Sequence, residues 1–157
     1  MGDKKHIPLI GDVLEEVGYS PWDFYSWGHI AMGIALFLVF SLINTIRTWM
    51  FGPGAELFPW WLLMVFVLII AFLWEVFENT LLWIWGKKFE NRRDSFLNSL
   101  WDILFACIGG AVMWLFKWII MDLLLIRGTW FYIVGIISFV LMLIAYFIGY
   151  FITNKQS

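Results

Sequence analysis

Three short stretches place ionisable or amide side chains inside otherwise apolar runs. They are "SWGHIAMG" with His29, "WEVFEN" with Glu75, Glu78 and Asn79, and "RRDSFLNSLWD" with Asp94, Asn98, Ser99 and Asp102. An imidazole beside several carboxylates can do two kinds of chemistry. It can move protons as a general acid–base pair, or it can offer nitrogen and oxygen ligands to a divalent metal, as carboxylate-rich helical bundles do. His29, Glu75, Glu78 and Asp102 are the candidates for both roles, and Asn79, Asp94, Asn98 and Ser99 are their polar support.

The spacing is not random. Glu75, Glu78 and Asn79 stand at i, i+3 and i+4, on one face of a helix. Asp94, Asn98 and Asp102 stand at i, i+4 and i+8, a stripe that drifts slowly round the helix. At 1.5 Å per residue, His29 lies roughly 13 Å from Ser20, Glu78 roughly 12 Å from Gly86, and Asp102 roughly 12 Å from Asp94. If those three residues mark helix ends on one side of a membrane, the polar groups share a depth and form one site opening toward that side. Four carboxylates cannot all stay ionised there unaided. A divalent ion, protons shared with Asn79, Asn98 and Ser99, or the basic residues Lys87, Lys88, Arg92 and Arg93 leaning in would each relieve them. Structural glue is the plainer reading, but interhelical hydrogen bonds average only ~0.6 kcal/mol, against at least ~2.5 kcal/mol to place an acid in mid-membrane.

The elements that position these groups follow from composition. Of 157 residues, 62% are hydrophobic and 14% charged, and mean hydropathy is +0.84. Soluble domains are nearer a quarter charged, so the chain is expected to be a polytopic membrane protein. Twelve Trp and 16 Phe suit lipid contact and interfacial belts. A net charge of −2, with basic residues at segment ends, gives no footing for nucleic acid. The single Cys107 forms no intrachain disulfide. Residues 1–20 carry acids and lack a continuous apolar core, so the first span is expected to serve as the insertion signal.

The pattern predicts an all-α fold within one membrane domain, residues 1–157. It is a four-helix transmembrane bundle with spans at about 21–48, 59–85, 95–126 and 129–153, each longer than the ~20 residues a bilayer needs. Ser20, Pro21 and Asp23 open the first span, Gly86 closes the second, and Asp94 or Ser95 opens the third. Leu9, Ile10, Val13, Leu14 and Val17 fall on one face of a short interfacial helix predicted over 9–17. Lys117 is expected to snorkel, and Asp122 to pair with Arg127. Four spans put both termini and the 86–94 loop on one side. Seven of the ten basic residues, Lys4 and Lys5 among them, lie there, which predicts cytoplasmic termini in the cell membrane. His6 is expected to be solvated in the tail.

The three motifs together resemble a family of small bacterial membrane proteins that carry "sHxxxG", "WExxEN" and "gDSxxNSxxDxxxxxxG", whose activity is not established. A looser likeness runs to VanZ-like proteins, which are linked with glycopeptide resistance. The resemblance covers residues 27–110 in pieces. It implies that His29, Glu75, Glu78, Asn79, Asp94, Ser95, Asn98, Asp102 and Gly109 are the family positions. The short loop between the second and third spans and the N-terminal amphipathic segment depart from it.

Three functions fit the residues. The first is an enzyme acting on a lipid or lipid-linked substrate, with a divalent ion at the acids and with Lys87, Lys88, Arg92 and Arg93 gathering a phosphate headgroup. The second is a non-catalytic accessory subunit of a larger membrane complex, with other membrane subunits as partners besides the lipid bilayer. The third is a small ion or proton carrier.

Overall fold

Long apolar runs in hydrocarbon must satisfy their own backbone N–H and C=O groups, and this chain does so with helices. The computed structural model describes residues 8–155, so Lys4, Lys5 and His6 lie outside the described residues. Helix α1 spans Phe24–Phe51. Helix α2 spans Trp60–Phe77 and continues through a π-helical turn, Glu78–Leu82. Helix α3 spans Phe96–Lys117 and continues through a second π-helical turn, Trp118–Leu123. Helix α4 spans Gly128–Lys155. All four are long and apolar enough to cross a membrane, as the sequence predicts.

The helix ends differ in detail from the expectation. Ser20 and Pro21 stay outside α1, and Asp23 is its N-cap. The Asp23 carboxylate accepts from the Tyr25 N–H at 2.8 Å, while the Ser26 hydroxyl accepts from the Asp23 N–H at 3.1 Å. Gly86 ends the second span with φ 63°, a left-handed residue where glycine carries no Cβ penalty. Ser95 caps α3, its hydroxyl accepting from the Asn98 N–H.

The segment predicted as an interfacial helix over 9–17 is not a regular helix. A two-residue parallel bridge joins Ile10 to Trp22, and residues 14–19 form turns. Backbone groups of the segment are taken by other partners: the Gly11 N–H donates to the Trp22 carbonyl at 2.7 Å, the Leu9 carbonyl accepts from the Trp22 N–H at 3.1 Å, and the Leu14 carbonyl accepts from the Arg92 guanidinium at 2.6 Å. The Gly18 carbonyl accepts from the Ser95 N–H at 2.7 Å, and the Tyr19 carbonyl accepts from the Ser95 hydroxyl. The Ser20 carbonyl accepts from the Asn98 amide. These contacts tie the chain after residue 17 to the start of α3, where Gly18 turns left-handed at φ 78°. Val17 is buried, but Leu9 and Ile10 remain exposed.

The bundle is built around α1. Half of its most apolar stretch is buried, against 33% in α3, 22% in α2 and 11% in α4. The tightest junction is between α1 and α3. A Cβ at Gly33 would stand 1.8 Å from the Ala106 carbonyl oxygen, and one at Gly109 would stand 2.2 Å from that of Ile30. Only glycine permits this approach, which is how membrane helices gain dispersion contact without a hydrophobic drive. Beyond the crossing lies an apolar core of Ile34, Phe37, Leu38, Leu63, Val67, Met113 and Phe131. Among the described residues, α2 and α4 do not come together. They flank α1 with a gap between them.

At the far end, buried Asn44 organises the 52–59 loop. Its carbonyl oxygen accepts from the Leu57 and Phe58 N–H groups at 3.0 Å, and its amide donates to the Phe58 carbonyl at 2.8 Å.

Candidate functional site

The Gly33–Ala106 junction sets the site. One helical turn toward the chain ends from each residue come His29 and Asp102, and the His29 Nε2 lies 3.6 Å from the Asp102 Oδ2. Glu75 enters from α2, with its Oε1 3.7 Å from the same nitrogen. All three residues are buried. Glu78 is half-buried at the start of the π turn of α2. His29, Glu75 and Glu78 can each bring one donor atom within 4.8 Å of the others. Asp102 is close to His29 but falls outside that set of three.

The acids divide into two layers. In the layer nearer the chain ends, Lys88 reaches back from the 86–95 loop, forming an ion pair with Asp94 and another with Glu78 at 3.2 Å. Burial opposes the Lys88 ammonium, but the Glu78 and Asp94 carboxylates outweigh it and hold its pKa above the ordinary lysine value. To place the ammonium there, the loop turns through Phe89–Asn91 with Glu90 and Asn91 at φ 52° and 49°, conformations that non-glycine residues adopt at some cost. Asn79 completes the layer. Its carbonyl oxygen accepts from the Asp94 N–H at 2.8 Å. That fixes the amide so that its nitrogen faces Asp94 Oδ2 at 3.1 Å, Ser99 Oγ at 3.2 Å and Glu75 Oε2 at 3.3 Å.

The deeper layer has no such counter-ion. Glu75 Oε1 and Asp102 Oδ1 are buried and have no hydrogen-bond partner among the described residues. The spacings to His29 are too long for hydrogen bonds. They are close to the separation of two donors on one ion, since bonds of about 2.1 Å in tetrahedral geometry put donors about 3.4 Å apart.

Asn98 belongs elsewhere. Its amide donates to the Ser20 carbonyl at 2.8 Å and to Asp23 Oδ2 at 3.4 Å, tying the N-terminal segment to α3. Asp23 also accepts from the Gly18 N–H at 2.9 Å. Its burial pushes the carboxyl up to about 6, against the pull of the Gly18 and Tyr25 N–H groups. Of the four basic residues expected at a headgroup, Lys88 is committed to Glu78 and Asp94. Arg92 is committed to the Leu14 and Glu15 carbonyls and the Tyr19 ring. Arg93 lies exposed over the Trp83 ring, and Lys87 is exposed.

Access to the site is lateral. The end facing the termini is covered by Val17, Gly18, Lys88, Phe89 and Arg92, which enclose a space of about 10 Å³, room for one water. The gap between α2 and α4 is instead a cleft of about 440 Å³ whose floor is Tyr25, Gly28, His29 and Met32 of α1, walled by Trp74, Glu78 and Tyr146. Tyr25, Trp74 and Tyr146 line the cleft although nothing in their type sets them apart from the chain's many other aromatic residues. The signal for the floor was present, because residues 25, 28, 29 and 32 follow the i, i+3, i+4, i+7 repeat of one helix face.

On the outer half, Lys117 does not snorkel. It is buried, donates to both Asp122 carboxylate oxygens at 2.8 Å, and lies 4.4 Å from the Trp60 ring centroid. Asp122 pairs there rather than with Arg127, because the π turn of α3 brings residue 122 back beside residue 117.

No family model, curated protein or solved structure matches this chain.

Proposed function

We propose that this integral membrane protein holds one divalent metal ion on His29, Glu75 and Glu78, and that the ion serves chemistry on a lipid or lipid-linked substrate. The observation that carries the reading is Glu75 Oε1, buried without a hydrogen-bond donor among the described residues and 3.7 Å from the His29 Nε2. Mixed imidazole and carboxylate donors suit zinc, manganese or iron. Such an ion would supply a nucleophile by acidifying bound water, and Asp102, 3.6 Å from the His29 nitrogen but outside the set of three donors, would serve as a general base beside it. The motif likeness to a family with the same His, Glu and Asp positions supports the choice of residues. The excess of basic residues on the side of the termini supports a cytoplasmic position for that side.

Elemental analysis of protein purified without chelator tests this reading, backed by titration of the metal-free protein with Zn²⁺ and Mn²⁺. About one equivalent of metal is expected, with its loss in His29→Ala and at least a tenfold weaker affinity in Glu75→Gln. Metal-free protein that also binds neither ion would remove the reading and leave the accessory-subunit role in its place.

A further inference from the structure

We infer that the cleft between α2 and α4 is a lateral binding site for a membrane lipid, which lays an acyl chain in the cleft and presents an uncharged, oxygen-bearing segment, an ester or a hydroxyl, to His29. The inference deepens the reading of the site as one that serves a lipid.

Three observations converge on that occupant. The first is placement. Both walls of the cleft are membrane spans, and Trp74 at its edge is 40% exposed. A cleft open to hydrocarbon is filled by what surrounds it, because the membrane core supplies acyl chains and no water.

The second is shape and lining. A volume of about 440 Å³ falls within the range of small-molecule sites, which are mostly apolar with a few convergent polar groups. Met32, Trp74 and the rings of Tyr25 and Tyr146 supply the apolar part. His29 and Glu78 supply the polar end. Gly28 keeps the floor low, since a Cβ there would already reach the Tyr146 ring at 3.4 Å.

The third is charge. Four carboxylates, Glu75, Glu78, Asp94 and Asp102, gather around the polar end, with Lys88 as the ammonium among them. Even with a divalent ion in place the formal balance is negative. A phosphate monoester would meet like charge in a medium that screens it poorly, whereas an ester carbonyl or a hydroxyl would meet donors and acceptors without that penalty. Arg92 and Lys88, which could favour an anion, are turned to other partners.

Native mass spectrometry of the full chain in detergent, offered equal amounts of dioleoylglycerol and dioleoylphosphatidic acid, tests the inference. A one-to-one adduct with dioleoylglycerol is expected, at least tenfold more abundant than the phosphatidic acid adduct. Met32→Trp, which narrows the cleft floor at a residue that is not one of the proposed metal donors, is expected to reduce it at least tenfold while the metal content stays at the wild-type value. Gly28→Leu provides the same obstruction should Met32→Trp not yield folded protein. A dioleoylglycerol adduct equally abundant in the wild type and in a folded obstructed variant would overturn the site, as would its absence from the wild type. A preference for phosphatidic acid would overturn the uncharged end. Metal without lipid, or lipid without metal, separates this inference from the reading of the ion.

Discussion

The His29 Nε2 of α1 and the Asp102 Oδ2 of α3 stand 3.6 Å apart, one turn from the point where Gly33 rests on the Ala106 carbonyl. The polar pair and the glycine junction are parts of one device. The missing Cβ of Gly33 lets the two backbones come close, and one turn away that approach holds the short Asp102 side chain against the imidazole.

Gly33→Ala is therefore expected to act on the site as well as on the fold. Its Cβ would collide with the Ala106 carbonyl at 1.8 Å. Overpacking of this kind costs about 1–3 kcal/mol, relieved only if the helices part and the His29–Asp102 spacing widens. A lower thermal midpoint in detergent is the expected result, with Zn²⁺ affinity changed less than tenfold, because the three proposed donors stand on α1 and on the second span. A normal midpoint would show that the two helices absorb the Cβ without parting.

Lys88→Met leaves Glu78 and Asp94 facing each other without their ammonium. Removing one partner of a buried ion pair costs about 3–5 kcal/mol, because the remaining charge is stranded. Asp94→Asn in the same chain should recover most of that loss. A double-mutant cycle on thermal stability measures the coupling, and simple additivity would show that Lys88 does not neutralise Asp94.

Asp23 gives a pH dependence with a definite sign. Its carboxyl is pushed from 3.8 up to about 6, chiefly by burial. An acid whose folded pKa exceeds its unfolded value binds more protons when folded, so its contribution to stability falls as pH rises between those two values. Acidification from pH 7 to pH 4 should stabilise the wild type relative to Asp23→Asn by about 1–3 kcal/mol. The difference between the two proteins across that range, read from unfolding curves, isolates Asp23 from the other acids. A constant difference would mean that Asp23 is not the titrating group.

Much of this was legible in the sequence, for a physical reason. Span lengths follow from hydrophobic runs, and the approach of His29 and Asp102 follows from a fixed rise per residue, but the same count puts Glu78 level with them, whereas the structure brings Glu75 to His29 and leaves Glu78 in the layer of Lys88. What one-dimensional spacing does not carry is the partner of each polar group. Asn98 sits on the same stripe as Asp94 and Asp102, yet it serves Ser20 and Asp23, because a chain segment folded back across the start of α3 competes for its amide. Lys88 was one of four basic residues with equal claims from sequence. Two left-handed residues in its loop, Glu90 and Asn91, decide that it turns inward. The open side of the bundle was hidden for a related reason. Hydropathy marks α2 and α4 as spans but does not say that they fail to meet.

The outer half offers a last case where geometry decides an asymmetry. The Lys117 side chain is 10% exposed, but that of Asp122 is 46% exposed. Asp122→Ala leaves the Lys117 ammonium buried, with the Trp60 face as its remaining neighbour. Lys117→Met leaves a carboxylate that can turn outward and hydrate. Asp122→Ala is therefore expected to lower the thermal midpoint more than Lys117→Met does. The double variant should lie closer to Lys117→Met, because an uncompensated buried charge costs more than a lost pair. Trp60→Leu in the Asp122→Ala background should lower the midpoint further, since it removes the remaining stabilisation of the ammonium. Equal midpoints for the two single variants would show that Lys117 reaches water by a route closed in this structure.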